Sequence, residues 1–255
     1  MNPSFLCEGG DSVKNIKLTL AYDGTNYHGF QIQQNAVTIQ EELEKAIAKI
    51  FAQAVRVTAA GRTDAGVHAL GQVVNFFVET KIPCERIPYA LNSVLPADIV
   101  VTSAEEVPAD FHARYSAKSK VYRYTVDHAP FPRVLTRHYA YHFPYRLDLD
   151  SMQRAASTLL GQKDFCTFMA SGSSVKSTVR TIMALDLIDQ DDYLTITIEA
   201  DGFLYNMVRI ITGTLLEVGL GKRHYDLTPV LEARNRSAAG WTAPAHGLIM
   251  QKVKY

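Results

Sequence analysis

Asp64 is the residue of this chain whose surroundings are most suited to chemistry. It lies in residues 61–69, which read Gly-Arg-Thr-Asp-Ala-Gly-Val-His-Ala. An apolar run at 55–60 precedes this segment and another at 73–78 follows it, so the pattern predicts a short loop between two strands. A loop on a rigid scaffold can hold a reacting carboxylate in place. The alternative is an ordinary Gly-Asp turn in which the aspartate caps a backbone amide.

Arg209 is a second candidate because it interrupts an apolar helix. Residues 206–219 carry apolar side chains on nearly every face, so the predicted helix is buried on most sides. A buried guanidinium is costly unless it is paired, and some carboxylate should therefore meet Arg209. Gly213 lies one turn further on the same face, where it would let another backbone approach closely. The alternative is a surface arginine whose stem lies along the helix edge.

Tyrosines and cations near the middle of the chain form a third group. Tyr122 and Tyr124 are two positions apart in a predicted strand and so point to one face. The alternative for each is a buried core tyrosine whose hydroxyl is hydrogen-bonded. Arg114, Lys118, Lys120 and Arg123 fall within ten residues. Such a cluster can bind phosphates even in a chain whose net charge is zero. The alternative is that these cations are scattered over the surface and solvated, without forming a binding site.

Composition excludes several classes of protein. The chain has 255 residues, of which 47% are apolar and 20% charged, as in an ordinary soluble globular protein. Its three cysteines form no CxxC pair, which favours a reducing compartment such as the cytoplasm. No apolar run approaches the length of a membrane span, and the first 15 residues resemble a loose tail. No phosphate-loop, GxGxxG or HExxH motif occurs, so neither a nucleotide cofactor nor a metal is predicted.

Hydrophobic periodicity predicts an α+β fold in two similar halves. Each half has the order strand, helix, strand, strand, helix, strand, which is the ferredoxin-like order. The proposed division is a tail at 1–15, an N-terminal half at 16–112 and a C-terminal half at 113–255. The second half has two additions, at 130–146 and in a short helix near 227–236. The predicted elements are strand 16–22, helix 38–52, strands 54–60 and 70–79, helix 84–94 and strand 98–107, then strand 119–127, helix 148–160, strands 178–189 and 193–201, helix 206–219 and strand 247–254.

Five motifs that follow one another between about residue 16 and residue 255 resemble the tRNA pseudouridine synthase A family. The loop at 61–69 is similar to the catalytic motif of that family, and the other four lie in order around it. They are Tyr-Asp-Gly-Thr-Asn-Tyr-His-Gly-Phe-Gln at 22–31, Phe-His-Ala-Arg at 111–114 with Lys-Val-Tyr-Arg-Tyr at 120–124, Gly-Phe-Leu at 202–204 with Val-Arg at 208–209 and Gly213, and Ala-Pro-Ala-His-Gly-Leu at 243–248.

The resemblance implies a fold and a reaction. The two ferredoxin-like halves should join into one mixed, mainly antiparallel sheet with a central cleft. The implied reaction isomerises uridine to pseudouridine at positions 38, 39 and 40 in the anticodon stem-loop of tRNA. It needs no cofactor, because no atoms are gained or lost, and the family acts as a homodimer with one tRNA across both subunits.

The resemblance also implies roles for particular residues. Asp64 is the nucleophile, Arg209 pairs with it, and Tyr122 stacks on the uracil and can help to move a proton. Arg62, Arg114 and Lys120 are the predicted RNA contacts, with a surface salt bridge as the alternative for Arg62. Three roles stay open for Asp64: attack at C1′, attack at C6, or removal of a ribose proton.

Two alternatives and one departure accompany this interpretation. A non-catalytic tRNA-binding protein could have the same fold, although the intact set of Asp64, Tyr122 and Arg209 argues against it. A glycoside hydrolase would need a second acid about 5–10 Å from the first, and no motif supplies one. Where many relatives read Gly-x-His-Asp-Phe, this chain has Lys163 in place of the histidine.

Overall fold

The strands of the computed structural model, which describes residues 13–172 and 175–255, join into one mixed sheet. Its strands are β1 (Val13–Tyr22), β2 (Thr58–Ala59), β3 (His68–Glu79), β4 (Ile99–Val107), β5 (Ser119–Asp127), β6 (Tyr141–His142), β7 (Gly161–Asp164), β8 (Val179–Gln190), β9 (Tyr193–Ala200) and β10 (Leu248–Lys254). Its α-helices are α1 (Ile39–Phe51), α2 (Ile87–Asn92), α3 (Leu149–Thr158), α4 (Met207–Gly219) and α5 (Thr228–Glu232).

Both halves of the chain have the ferredoxin-like arrangement, which confirms the predicted α+β class. The order along the sheet is β4-β1-β3-β10-β5-β9-β8-β7, with β2 on β3 and β6 on β5. In the first half the fourth strand lies beside the first, and the first beside the third. The second half repeats this order as β10-β5-β9-β8.

Local sequence explains why the first helix forms where it does. Thr38 accepts a hydrogen bond from the Glu41 backbone amide through Oγ1, at 3.4 Å, which caps the helix start. Leu43 and Ile47 recur at helical spacing and are fully buried against the sheet. The helix ends where Ala52 takes the left-handed conformation, at φ 53°.

The two halves meet where β3 and β10 run side by side. They are parallel, with His68 opposite Ile249 and Ala69 opposite Met250. The pairs on either side of this joint, β1 with β3 and β10 with β5, are antiparallel. The loop that contains Asp64 enters the sheet at this joint, because β3 begins at His68.

The predicted strand at 54–60 is wrong over most of its length. Only Thr58 and Ala59 pair with β3. Before them the backbone amide of Val57 donates to the Glu44 carboxylate at 3.0 Å, so a side chain of α1 replaces a strand partner.

Three further boundaries differ from the prediction. The described part of the first strand begins at Val13 and not at the predicted residue 16, so 13–15 belong to the strand, and the rest of the predicted tail lies outside the described residues. The short helix expected near 227–236 ends at Glu232, and Arg234 takes φ 47° shortly afterwards. The helix expected at 84–94 begins as a 3₁₀ turn, Cys84–Arg86, and continues as α2 to Asn92.

Candidate active site

The loop of Asp64 is held by backbone-to-backbone packing against the loop that follows β1. The amide of Phe30 donates to the carbonyl of Thr63 at 3.0 Å. A Cβ on Gly24 would lie 2.1 Å from the carbonyl oxygen of Val67, so only glycine permits this approach. The motif at 22–31 therefore packs against the motif at 61–69 and supports it. This packing gives the carboxylate of Asp64 a fixed position relative to the sheet.

The carboxylate of Asp64 lies against the guanidinium of Arg209. Nη1 of Arg209 is 3.3 Å from Oδ2 of Asp64, and the two side chains are 17% and 24% exposed. Burial raises the pKa of Asp64 above its ordinary value, and the Arg209 charge only partly offsets this. Arg209 by itself favours the ionised form of Asp64. Burial outweighs that contribution, so the net pKa shift is upward.

Arg209 is held in place by a residue at the start of α4 and by the segment that precedes β10. Its Nε donates to the carbonyl oxygen of Ala243 at 2.7 Å, and its Nη1 donates to Oδ1 of Asn206 at 2.8 Å. The amide of Ala243 in turn donates to the carbonyl of Arg209 at 3.1 Å. Because these partners belong to the helix start and to the segment before β10, the guanidinium is aimed at Asp64 by two separate parts of the chain.

The segment at 239–247 crosses α4 at Gly213, as the position of that glycine predicted. A Cβ on Gly213 would lie 1.9 Å from the carbonyl oxygen of Trp241. The hydroxyl of Tyr124 donates to the carbonyl of Pro244 at 2.8 Å and holds the same segment from β5. The segment is therefore fixed between the helix and the sheet.

Tyr122 projects from β5 toward the same place. It is 6% exposed, and burial raises the pKa of its hydroxyl well above the ordinary value, with Tyr22 and Asp64 adding to the effect. The edge of its ring packs on Phe203, with ring centroids 4.9 Å apart and an angle of 81°. The phenol is therefore neutral at physiological pH, and it is close enough to Asp64 for the carboxylate charge to affect its pKa.

A second tyrosine supports the loop from the N-terminal half. The hydroxyl of Tyr22 is 2.8 Å from Oγ1 of Thr63, next to Asp64. Burial raises the pKa of Tyr22 to about 12, so it too is a neutral phenol. Tyr22 stands in a motif that the sequence singled out, although no role was predicted for it.

The predicted RNA-contacting cations are distributed around this centre. Burial lowers the pKa of Lys120 to about 8, with Arg114 and then Arg180 adding to the shift and Asp201 opposing it. A Cβ on Gly61 would lie 3.7 Å from Cε of Lys120, so the lysine stem lies beside the Asp64 loop. Arg114 is exposed, and Arg180 was not predicted.

Arg62, next to the aspartate loop, is exposed to solvent. Within residues 13–172 and 175–255 it makes no ion pair, so the surface salt bridge considered for it is not formed by this part of the chain. Its guanidinium is available to a ligand.

Neither a metal cluster nor a membrane helix is found in the described part of the chain. Among those residues, no three His, Cys, Asp or Glu side chains are grouped so that they could hold an ion. The helices there are too short or too polar to cross a bilayer.

Comparison with known proteins identifies the family. The profile described as tRNA pseudouridine synthase matches residues 19–116 and 155–255. The tRNA pseudouridine synthase A of Acetivibrio thermocellus is 52% identical over 244 residues, which are 95% of this chain and 100% of that protein. The Bacillus subtilis protein of the same name is 50% identical over 243 residues, 94% of this chain and 98% of that one.

Among solved structures, the archaeal box H/ACA sRNP Nop10-Cbf5 complex matches at a TM-score of 0.37 and 12% identity, over 79% of this chain and 43% of that one. This similarity is too low to bear on function. The sequence comparisons do bear on it, because the relatives match over nearly the whole chain. The chain belongs to the tRNA pseudouridine synthase family, a family of isomerases.

Proposed function

We propose that this chain isomerises uridine to pseudouridine at positions 38, 39 and 40 in the anticodon stem-loop of tRNA. The observation that carries the proposal is the partly buried pair of Asp64 and Arg209, 3.3 Å apart at the joint of the two halves. Tyr122, on β5, is near enough for the Asp64 charge to raise the pKa of its hydroxyl. Family membership supports the choice of tRNA uridine as substrate.

The reaction needs few groups from the protein. The N1–C1′ bond of uridine breaks, the uracil turns, and C5 bonds to C1′, while N1 gains a proton and C5 loses one. A stacked base must first leave the helix, which costs a few kcal/mol. In this proposal Asp64 is the nucleophile, and Arg209 stabilises its carboxylate in a site where burial opposes ionisation.

Tyr122 and the cations bind the substrate in this proposal. The Tyr122 ring stacks on the extruded uracil and its neutral hydroxyl is available for proton transfer. Lys120 and Arg114 contact phosphates on one side of the aspartate loop. Arg62, which stands next to Asp64 in the chain, contacts a phosphate or fills the gap that the base leaves.

We further propose that the enzyme is a cytoplasmic homodimer and that one tRNA lies across both subunits. A neutral monomer offers limited cationic surface, whereas two copies bring two sets of Arg114, Lys120 and Arg123 to one RNA. Sedimentation at micromolar protein, with and without tRNA, tests this assembly. Full activity from a monomer in both conditions would exclude it.

Two experiments test the activity. Pseudouridine mapping of tRNA from cells that lack the protein should show loss at positions 38 to 40 alone. Asp64→Asn should remove isomerisation in single-turnover assays that release tritium from 5-tritiated uridine, while tRNA binding is retained, since an amide is a poor nucleophile. The matched control is Asp110→Asn, which changes an exposed aspartate. Normal activity of Asp64→Asn would exclude the nucleophile, and an inactive parent chain that still binds tRNA would favour a non-catalytic binding protein.

A further inference from the structure

Residues 130–146, here called the arm, are unusually cationic for this chain. They contain three arginines and two histidines and no aspartate or glutamate, although the whole chain is neutral. Aromatic residues are interleaved with these cations. Basic residues alternating with aromatic ones are typical of surfaces that bind nucleic acid. The aromatic residues are Phe131, Tyr139, Tyr141, Phe143 and Tyr145.

The base of the arm is fixed to the C-terminal half. The Arg133 guanidinium lies 2.9 Å from Oδ1 of Asp127 and 3.1 Å from Oδ2 of Asp192. Oγ1 of Thr136 lies 2.9 Å from the hydroxyl of Tyr193. At its other end the arm forms β6, which pairs with β5. These contacts give the arm a defined path over the surface.

The arm then reaches the N-terminal half beside the aspartate loop. The hydroxyl of Tyr139 donates to Oδ2 of Asp23 at 2.6 Å, and its ring centroid is 5.1 Å from that of His68. His68 is four residues beyond Asp64 and begins β3. Tyr139 therefore brings the arm to the start of β3, next to the aspartate loop.

One face of the arm is apolar and open to solvent. Phe131, Val134 and Leu135 are 82%, 70% and 90% exposed. Arg137 and Arg146 are exposed as well, and neither makes an ion pair with another residue of the described ranges. Large exposed apolar groups on a well-anchored backbone indicate a surface that is covered by a partner.

We infer that this exposed face of the arm binds tRNA next to the uridine held at Asp64. Phe131 and Leu135 contact base faces, as apolar side chains do when they insert beside an opened stack, and Arg137 and Arg146 contact phosphates. The inference rests on the proposed activity on tRNA. A second copy of the chain fits less well, because a two-fold contact of arm with arm would oppose cations with cations.

The test measures tRNA binding by Phe131→Ser, Leu135→Ser and Arg137→Ala. Phe131→Ser should raise the Kd about fivefold or more, since stacking of a base on an aromatic ring contributes that much. Leu135→Ser should raise the Kd as well, to a smaller extent. Arg137→Ala should reduce the salt dependence of log Kd by about one unit of slope. The turnover rate at saturating tRNA should stay near that of the parent, since none of the three positions touches Asp64.

The control variants are Tyr89→Ser and Arg86→Ala. Both residues are exposed, and they lie on or just before α2, which packs on β4 at the far edge of the sheet. Equal effects on Kd from the arm and control variants would overturn the inference. So would an unchanged Kd with altered sedimentation of the arm variants, which would assign the face to a second copy. If the parent chain forms no pseudouridine but the arm variants still bind tRNA more weakly, the proposed activity fails and the arm contact stands.

Discussion

A methyl group added at residue 213 would strike the backbone that holds Arg209. The Cβ of Gly213→Ala would lie 1.9 Å from the carbonyl oxygen of Trp241 and 2.9 Å from its carbonyl carbon. Because both atoms are backbone, no side-chain rotation relieves the contact. The segment at 239–247 must therefore move away from α4, and with it the Ala243 carbonyl that accepts from Arg209 at 2.7 Å.

The expected cost combines two opposing effects. Overpacking typically destabilises by about 1–3 kcal/mol, and a clash with backbone belongs at the upper end of that range. Alanine is favoured over glycine inside a helix by about 1 kcal/mol, which offsets part of the loss. The net destabilisation should be about 2 kcal/mol, or a fall in Tm of about 4–8 °C for a chain of this size. Isomerisation should slow as well, because the guanidinium loses its fixed direction.

Thermal unfolding by circular dichroism and single-turnover isomerisation at saturating enzyme measure these two effects. Gly202→Ala is the thermal control, because its Cβ would meet only the flexible side chain of Arg180, at 3.3 Å. If the Tm and the rate of Gly213→Ala both matched the parent, the crossing at Trp241 would not position Arg209, and this reasoning would be refuted.

Four further predictions concern the site and its surroundings. Arg209→Ala should cost about 3–5 kcal/mol of stability and most of the activity, because it leaves a partly buried carboxylate unpaired; a parent-like melt and rate would contradict this. Tyr122→Leu should weaken capture of the base by about 1–3 kcal/mol while Tyr122→Phe mainly slows turnover, and equal parent-like kinetics for both would remove Tyr122 from the mechanism. The Kd for tRNA should rise as pH rises through about 8, where Lys120 loses its charge, and Lys120→Arg, which keeps the charge, should remove that step. Loss of activity toward low pH should begin above the ordinary titration range of an aspartate, because the pKa of Asp64 is raised, and a pH–rate profile measures it.

Much of the fold was predictable because local periodicity decides it. Leu194, Ile196 and Ile198 alternate with polar residues, and all three are fully buried on β9. The short β2 was not predictable in this way. Its apolar run is long enough for a full strand, but the backbone amide of Val57 donates to the Glu44 carboxylate of α1, a contact that the run itself does not reveal.

The residues of the candidate site differ in how well the sequence indicated them. Asp64 and Arg209 carry charges in conspicuous surroundings, so residue type and spacing pointed to both. The carbonyl of Ala243 that holds Arg209 could not be singled out from the sequence, since every residue has a carbonyl. Asn206 was predictable in principle, because it precedes Arg209 by three positions on one helix face, but its left-handed backbone at φ 60° was not. The direction of the Asp64 pKa depends on burial depth, which only the fold reveals. The catalytic roles of these residues remain predictions.

The parallel pairing of β3 with β10 has a consequence for the order in which the molecule can assemble. His68 and Ile249 lie far apart in the sequence, so closing this joint carries a large loop-closure entropy and should come late in folding. Most strands can pair within their own half before that step. Asp64 enters from one side of the joint, while Tyr122 and Arg209 belong to the other. A nascent or truncated chain that stops before Leu248 should therefore show much of the secondary structure and none of the activity.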